Sequence, residues 1–438
     1  MKKILLISYN FAPRHTVGAI RPTKLAQYLA EDRNTVDVVT VKPFGELDHS
    51  MDEVFGHVRK VFEIDRPIIK EKPSARPDGG LKQSTSAAQS APKQTDAVKK
   101  KSFLQKIKYE LYEYRRVSGS RAFAARFEKL VKSDVDRFRD YDAVITSYGP
   151  VASHLCGLVM KKLCPDVKWI ADFRDPMVVN TTTALTKRSR ASIQNKVCKK
   201  ADALVAVSQG YFDRIFETDR AKSKATVIYN GFDRRDVMTD ASASDGEFSF
   251  TYVGALYDGK RDISPLFEAL ASLIEDGMID KKDVRFNYAG NAFKVLRGQA
   301  ARFGVDDCLC DLGRLTRDEC LKLQARSRHL VLATWNEKNE GGVFPGKFLE
   351  YIMSARPIVS LVAGDIPGSE VTSVMKRGKL GVTYEEATRE EDLSVLKEYV
   401  LSDYALFKKG MPSDFHPDEE TVSSFDFAQT AKSFEKLI

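Results

Sequence analysis

Residues 330–361 read LVLATWNEKNEGGVFPGKFLEYIMSARPIVSL. Two apolar runs, Leu330–Ala333 and Ile358–Leu361, bracket a glycine-containing loop and an apolar helical segment that stops at Arg356-Pro357. Strand, loop, helix and strand make one βαβ unit, and such units build parallel sheets. The loop carries chemistry as well. Gly341, Gly342, Val343, Phe344, Pro345 and Gly346 lead into a helix whose first N–H groups have no intrahelical acceptor, and the helix dipole adds positive potential there. Lys347 contributes a point charge, and Glu350, one turn on, accepts hydrogen bonds from hydroxyls. An anion and hydroxyls on one ligand describe a nucleotide sugar. The plainer reading is a tight turn before an ordinary helix, with both charges solvated.

The same alternation extends in both directions. Upstream in this half, strands are expected at Phe248–Val253 and Val284–Ala289, and downstream at Gly381–Thr383. The first half reads likewise, with strands at Lys3–Ser8, Val36–Val41, Val58–Ile64, Ala143–Thr146, Trp169–Asp172, Leu204–Val207 and Thr226–Tyr229. A helix is expected from about Pro22 to Ala30, with proline in its first turn. A chain of 438 residues exceeds one core. The expected fold is α/β, two Rossmann-like doubly wound domains facing a central cleft. Residues 1–235 form the first, 236–247 a polar linker, 248–421 the second, and 422–438 a terminal amphipathic helix. Within the first domain, about 72–99 is rich in Ser, Ala, Gln, Pro and Lys and reads as a flexible insertion. A basic helical segment follows at about 100–139.

Composition excludes several classes. Hydrophobic content of 43% and charged content of 30% are those of a globular chain. No apolar run approaches the ~20 residues of a membrane span. The start, MKKILLISYNFAP, has too short an apolar run for a signal peptide and no small-residue cleavage site, so a cytosolic location is expected. Six cysteines show no C-x-x-C pair, and six histidines show no ligand spacing, so no metal is expected. Net charge is +8, and residues 99–139 alone hold 13 Lys/Arg against 5 Asp/Glu, which is the whole excess.

Four further constellations sit at strand-to-helix crossings. Phe250–Arg261, FTYVGALYDGKR, ends a strand in Gly254 and places Lys260 and Arg261 just before a helix, where they can clamp a diphosphate. Tyr9–Arg21, YNFAPRHTVGAIR, follows the first strand and offers His15, Gly18 and Arg21. It lacks the G-x-G-x-x-G fingerprint, and no acidic residue ends the next strand, which argues against a dinucleotide cofactor. Trp169–Met177, WIADFRDPM, crowds Asp172, Arg174 and Asp175 at a strand end, a costly arrangement unless the charges pair or face a cleft. Val227–Asp233, VIYNGFD, is first of all a turn signal.

Taken in order, these residues resemble glycosyltransferase family 4, retaining enzymes of the GT-B fold, in the bacterial cell-surface polysaccharide type. The resemblance runs through Gly18 and Arg21, Ile228–Asp233, Val253-Gly254 and Phe344–Pro357. It implies that the C-terminal domain binds the nucleotide-sugar donor and the N-terminal domain the acceptor. Lys260, six residues after Gly254, matches the lysine that contacts the donor diphosphate. Glu350 matches the second glutamate of E-x7-E, which holds the ribose hydroxyls, and Gly18 matches the loop that approaches the phosphates. The terminal helix would cross back onto the first domain. Two positions depart from the pattern. Ala255 stands where an arginine is usual, with Arg261 expected to supply that cation. Gly342 stands where the first glutamate is usual, so the amides of Gly341–Phe344 are expected to hold the transferred sugar.

The implied reaction passes a sugar from a nucleoside diphosphate to an acceptor hydroxyl, without a metal or other cofactor. Lys260, Arg261, Lys347 and the helix start at Pro345–Lys347 would meet the charge on the leaving diphosphate. Arg314 and Leu315 are expected near the base. His15, Arg21, Asp172, Arg174 and Asp175 are expected on the acceptor side, and domain closure across the linker is expected to gate the chemistry. The acceptor is a glycan or a lipid-linked glycan. In the basic segment, Phe103, Leu104, Ile107, Leu111 and Tyr114 recur at helical spacing among Lys and Arg, a pattern that lies on anionic membranes or packs on the domain. The chain is therefore expected as a peripheral protein on the inner face of the membrane. A nucleotide-sugar epimerase of the same fold would need catalytic carboxylates or histidines in the cleft. A nucleic-acid-binding protein would need basic residues interleaved with stacking aromatics, and no nucleic-acid partner is expected.

Overall fold

Runs of apolar residues become the interior strands of two sheets. The computed structural model describes residues 1–66, 103–178, 184–236, 246–338 and 344–438, with the side chains of 103–116, 184, 185 and 258 left outside. The expected insertion at 72–99, most of the linker, and Gly341–Val343 lie outside the described residues. The first sheet comprises β1 (Lys3–Ser8), β2 (Thr35–Val41), β3 (Lys60–Ile64), β4 (Ala143–Ser147), β5 (Lys168–Phe173), β6 (Ala203–Ala206) and β7 (Ala225–Val227), in the order β3-β2-β1-β4-β5-β6-β7. The second comprises β8 (Phe248–Val253), β9 (Val284–Ala289), β10 (Leu309–Asp311), β11 (His329–Trp335), β12 (Ile358–Ala363) and β13 (Gly381–Glu385), in the order β10-β9-β8-β11-β12-β13.

Each sheet reverses its winding beside its first strand. Ile4 of β1 lies opposite Val36 of β2 on one side and Ala143 of β4 on the other, all parallel. Phe250 of β8 likewise lies between Phe286 of β9 and His329 of β11. In doubly wound sheets such a reversal opens a crevice at the strand carboxyl ends. Ile4, Leu5, Leu6 and Ile7 are all fully buried, as expected of a strand covered by helices on both faces.

By contacts the chain divides into Met1–Pro22 with Asn34–Leu204, and Thr23–Arg33 with Val205–Ile438. Thr23–Arg33 joins the second unit through Asp233, whose carboxylate accepts from Lys24 Nζ at 2.5 Å and from the Tyr28 hydroxyl at 2.8 Å.

Three elements differ from expectation. The first helix begins at Val17, not Pro22, and continues to Glu31 with Pro22 inside it. The strand expected from Cys308-x-Cys310 starts one residue later, at Leu309, and is three residues long, half exposed and at a sheet edge. The terminal helix is two helices, Glu419–Ser423 and Phe427–Glu435, because Asp426 caps the second through the Ala428 N–H at 3.0 Å. The break lets Phe232 and the terminal segment exchange bonds, Phe232 N–H to Phe425 O at 2.8 Å and Phe427 N–H to Phe232 O at 2.9 Å.

The basic segment is helical from Phe103 to Ser133. Val117, Ser120, Phe123, Ala124, Phe127 and Val131 recur every three or four residues and are buried, so this half of the helix packs on the first unit. The stripe proposed for a membrane, residues 103–114, lies where side chains are not described. No helix among the described residues is long and apolar enough to cross a membrane.

Candidate functional site

At the carboxyl end of β8 the backbone turns through Gly254 at φ +138°, a left-handed conformation that suits glycine. The Gly254 N–H donates to Ala289 O at 2.9 Å, and its carbonyl accepts from the Tyr288 hydroxyl at 3.0 Å. Gly290 is forced by the same packing: a Cβ there would lie 2.3 Å from the Tyr288 hydroxyl and 2.4 Å from Gly254 O. Gly290 N–H in turn donates to Gly313 O at 2.7 Å, which ties the loops after β8, β9 and β10 together. Arg314 follows, exposed, and Leu315 is half-buried.

Arg261 folds back over this turn. Its Nη1 donates to Ala255 O at 3.2 Å and its guanidinium stacks 4.5 Å from the Tyr257 ring centroid. The guanidinium is therefore held beside the backbone of Ala255. Arg261 Nε is buried and has no hydrogen-bond partner among the described residues. Lys260 Nζ stands 5.5 Å from the centroid of Trp335, the last residue of β11.

The helix Gly346–Met353 starts without a side-chain cap after the extended Pro345. Lys347 Nζ and Glu350 Oε2 pair at 2.7 Å, both partly exposed. Tyr351, on the inner side, is fully buried and its hydroxyl accepts from Val253 N–H at 3.3 Å, joining this helix to the end of β8. Gly254 and Arg261 thus sit at the end of β8, Lys260 stands by the end of β11, and the helix that carries Lys347 and Glu350 is tied to β8 through Tyr351. Phe344 turns elsewhere: its ring packs 5.0 Å from Tyr229, 5.3 Å from Phe348 and 6.0 Å from Phe425. One acidic residue that sequence reasoning passed over lies in the same unit. Glu370 accepts from Gln209 N–H at 2.6 Å and from the Tyr229 hydroxyl at 2.6 Å.

The expected acceptor-side residues separate into three roles. His15 is exposed and lies 3.3 Å from Glu46. Arg21 and Asp172 are buried against each other through bonds of 3.0 and 2.9 Å, with the Ser147 hydroxyl adding a third at 3.0 Å. Their pairing answers the cost of charge at that strand end, and it leaves neither in direct reach of an acceptor. Arg174 and Asp175 do line an open cavity of about 490 Å³. Arg174 Nε donates to Tyr148 O at 2.8 Å and Nη1 to Gly18 O at 2.6 Å. Gly18 O is available because Pro22, four residues on, has no N–H to give it. A Cβ at Gly149 would lie 2.5 Å from Arg174 Nη2, and one at Gly18 3.3 Å from it and 2.9 Å from Asn10 Nδ2. The close approach made at Gly18 in this unit is therefore to Asn10 and Arg174. Burial pulls the Arg174 pKa down and pushes that of Asp175 up, each opposed by the other's charge.

Sequence reasoning missed the rest of this wall. Arg14, Arg66 and Arg190 also line the cavity, and Val151 brings the start of the helix Ala152–Leu163 to it. That helix start has no side-chain cap.

No family model matches the chain, and no curated protein does. Solved structures do match over nearly full length. The lipopolysaccharide outer core galactosyltransferase WaaB is 14% identical at a TM-score of 0.57, covering 99% of this chain and 98% of its own. HepE from Anabaena, solved with UDP and glucose, is 13% identical at 0.55, covering 100% and 99%. Sucrose-phosphate synthase from Thermosynechococcus elongatus is 15% identical at 0.54, covering 100% and 98%. At these identities the likeness is one of architecture: two parallel-sheet α/β domains in the GT-B arrangement of strands.

Proposed function

We propose that the chain is a glycosyltransferase that moves a sugar from a nucleoside diphosphate to an acceptor hydroxyl. The observation that carries this is the β8–β11 switch point, where Arg261, Lys260 and the uncapped start of the Gly346–Met353 helix gather. As the glycosidic bond breaks, negative charge grows on the departing diphosphate. Fixed cations and amide dipoles stabilise that charge without reorganising. Arg261 is held for the task by Ala255 O and Tyr257, with its Nε still unpartnered. Glu350, aligned by Lys347, accepts from the ribose hydroxyls. Three cations so placed supply the charge that a divalent metal would otherwise bring, and the reading is a metal-independent, retaining transfer. HepE was solved with UDP-glucose as well as UDP, which makes uridine the first base to try.

The acceptor in this reading is a glycan or lipid-linked glycan of cell-surface polysaccharide synthesis, met at the inner face of the membrane. Thermal stabilisation tests the class. UDP- or GDP-sugars are expected to raise the melting temperature, whereas NAD and an oligonucleotide leave it unchanged. A response to NAD or oligonucleotide alone contradicts the assignment. Calorimetry tests the residues. Lys260→Ala and Glu350→Ala each weaken UDP binding by about 1.5–3 kcal/mol, the scale of charged hydrogen bonds; wild-type affinity in both would remove them from the site.

A further inference from the structure

Among the described residues, the cavity in the first unit is lined by Arg14, Arg66, Arg174 and Arg190 against one carboxylate, Asp175. It sits where the loops after β1 and β4 part, the switch point of the first sheet. The guanidinium carbons of Arg14 and Arg66 lie 3.8 and 4.2 Å from the centroid of one ring, Phe44. Both cations of this wall therefore pack on the one ring. Burial lowers the Arg14 pKa and the charge of Arg66 lowers it further, against Tyr9. Arg14 Nε is buried without a hydrogen-bond partner among the described residues. The uncapped start of the 12-residue helix Ala152–Leu163 opens on the same wall, adding amide dipoles of the sign an anion needs.

We propose that this cavity binds the phosphoryl group of a phosphorylated acceptor, an inference that rests on the glycosyl-transfer reading above. Charge decides for phosphate over a sugar carboxylate: a phosphate monoester carries about −1.5 to −2 near neutral pH, a carboxylate only about −1. Arginine forks suit phosphate oxygens in pairs. The volume of about 490 Å³ holds more than a phosphate, and Ser120 and Asp175 in the wall offer partners for sugar hydroxyls.

The phosphate can belong to a soluble sugar ester or to a lipid carrier. Calorimetry of the full chain with glucose 6-phosphate and with farnesyl diphosphate separates them, with glucose and farnesol as controls. At least one phosphorylated probe is expected to bind, and neither control. Preference for glucose 6-phosphate assigns a soluble ester; preference for farnesyl diphosphate assigns a lipid carrier. Arg14→Gln and the exposed Arg66→Gln each weaken that probe about tenfold, the loss of one charged hydrogen bond. UDP affinity stays within about twofold in both variants, because their site lies in the other unit. The proposal is overturned if neither probe binds the wild type, or if both variants bind it as the wild type does. Failure of UDP to bind, with arginine-dependent phosphate binding kept, sinks the transferase reading and leaves the anion cavity standing.

Discussion

A Cβ at position 149 would sit 2.5 Å from Arg174 Nη2, on backbone at φ +118°. Gly149→Ala is therefore expected to lower stability by about 1–3 kcal/mol through strain at that φ, read from the urea midpoint, and to displace Arg174 from the cavity wall. Unchanged stability would mean the loop adapts freely. Lys260 and Glu350 make a sharper pair. Inorganic pyrophosphate has no ribose, so Glu350→Ala weakens UDP but not pyrophosphate, whereas Lys260→Ala weakens both; equal losses in Glu350→Ala would deny the carboxylate its hydroxyl role. His154 makes a pH prediction. Its ring meets Phe173 edge-on with centroids 4.6 Å apart and lies 2.8 Å from Thr146 Oγ1, and burial pushes its pKa down to about 3, opposed by Asp172. The fold keeps it neutral where the unfolded chain takes up a proton, so stability falls as pH drops from about 6.5 towards the folded value. That slope is at most about 1.4 kcal/mol per pH unit, and His154→Gln should flatten the urea midpoint between pH 7 and 5. An identical slope in the variant contradicts it.

At the scale of elements, buried parallel strands were legible because they leave continuous apolar runs: Phe248–Val253 and Val284–Ala289 were placed to the residue. β10 left only the alternation Cys308-x-Cys310, since it is three half-exposed residues at a sheet edge. Pro22 misled because proline usually marks a helix start, whereas here the carbonyl it abandons is taken by Arg174. The residues proposed for the donor side come from two strand-to-helix loops, each continuous in the sequence. The arginine cavity was not legible, because residues 14, 66, 174 and 190 come from four separate segments that only the fold unites. The basic helix divides in two at this scale: its second half is packed, and its first half continues the same helix with a cationic, apolar sequence. Deleting residues 99–116 should reduce binding to anionic vesicles in a flotation assay, each cation near the surface being worth about 1 kcal/mol; unchanged binding rules out the membrane role.

At the scale of the whole molecule, one device is built twice. Each sheet reverses direction beside its first strand, and each reversal gathers arginine or lysine with an uncapped helix start. In the second unit this arrangement is assigned to the diphosphate of a donor, in the first to the phosphate of an acceptor. The most direct measurement of the central claim is a crystal of the full chain soaked with UDP. The account predicts diphosphate density within hydrogen-bond reach of Arg261, Lys260 and the amides at Gly346-Lys347, with ribose hydroxyls on Glu350. Diphosphate bound away from the end of β8, with those cations untouched, would contradict it.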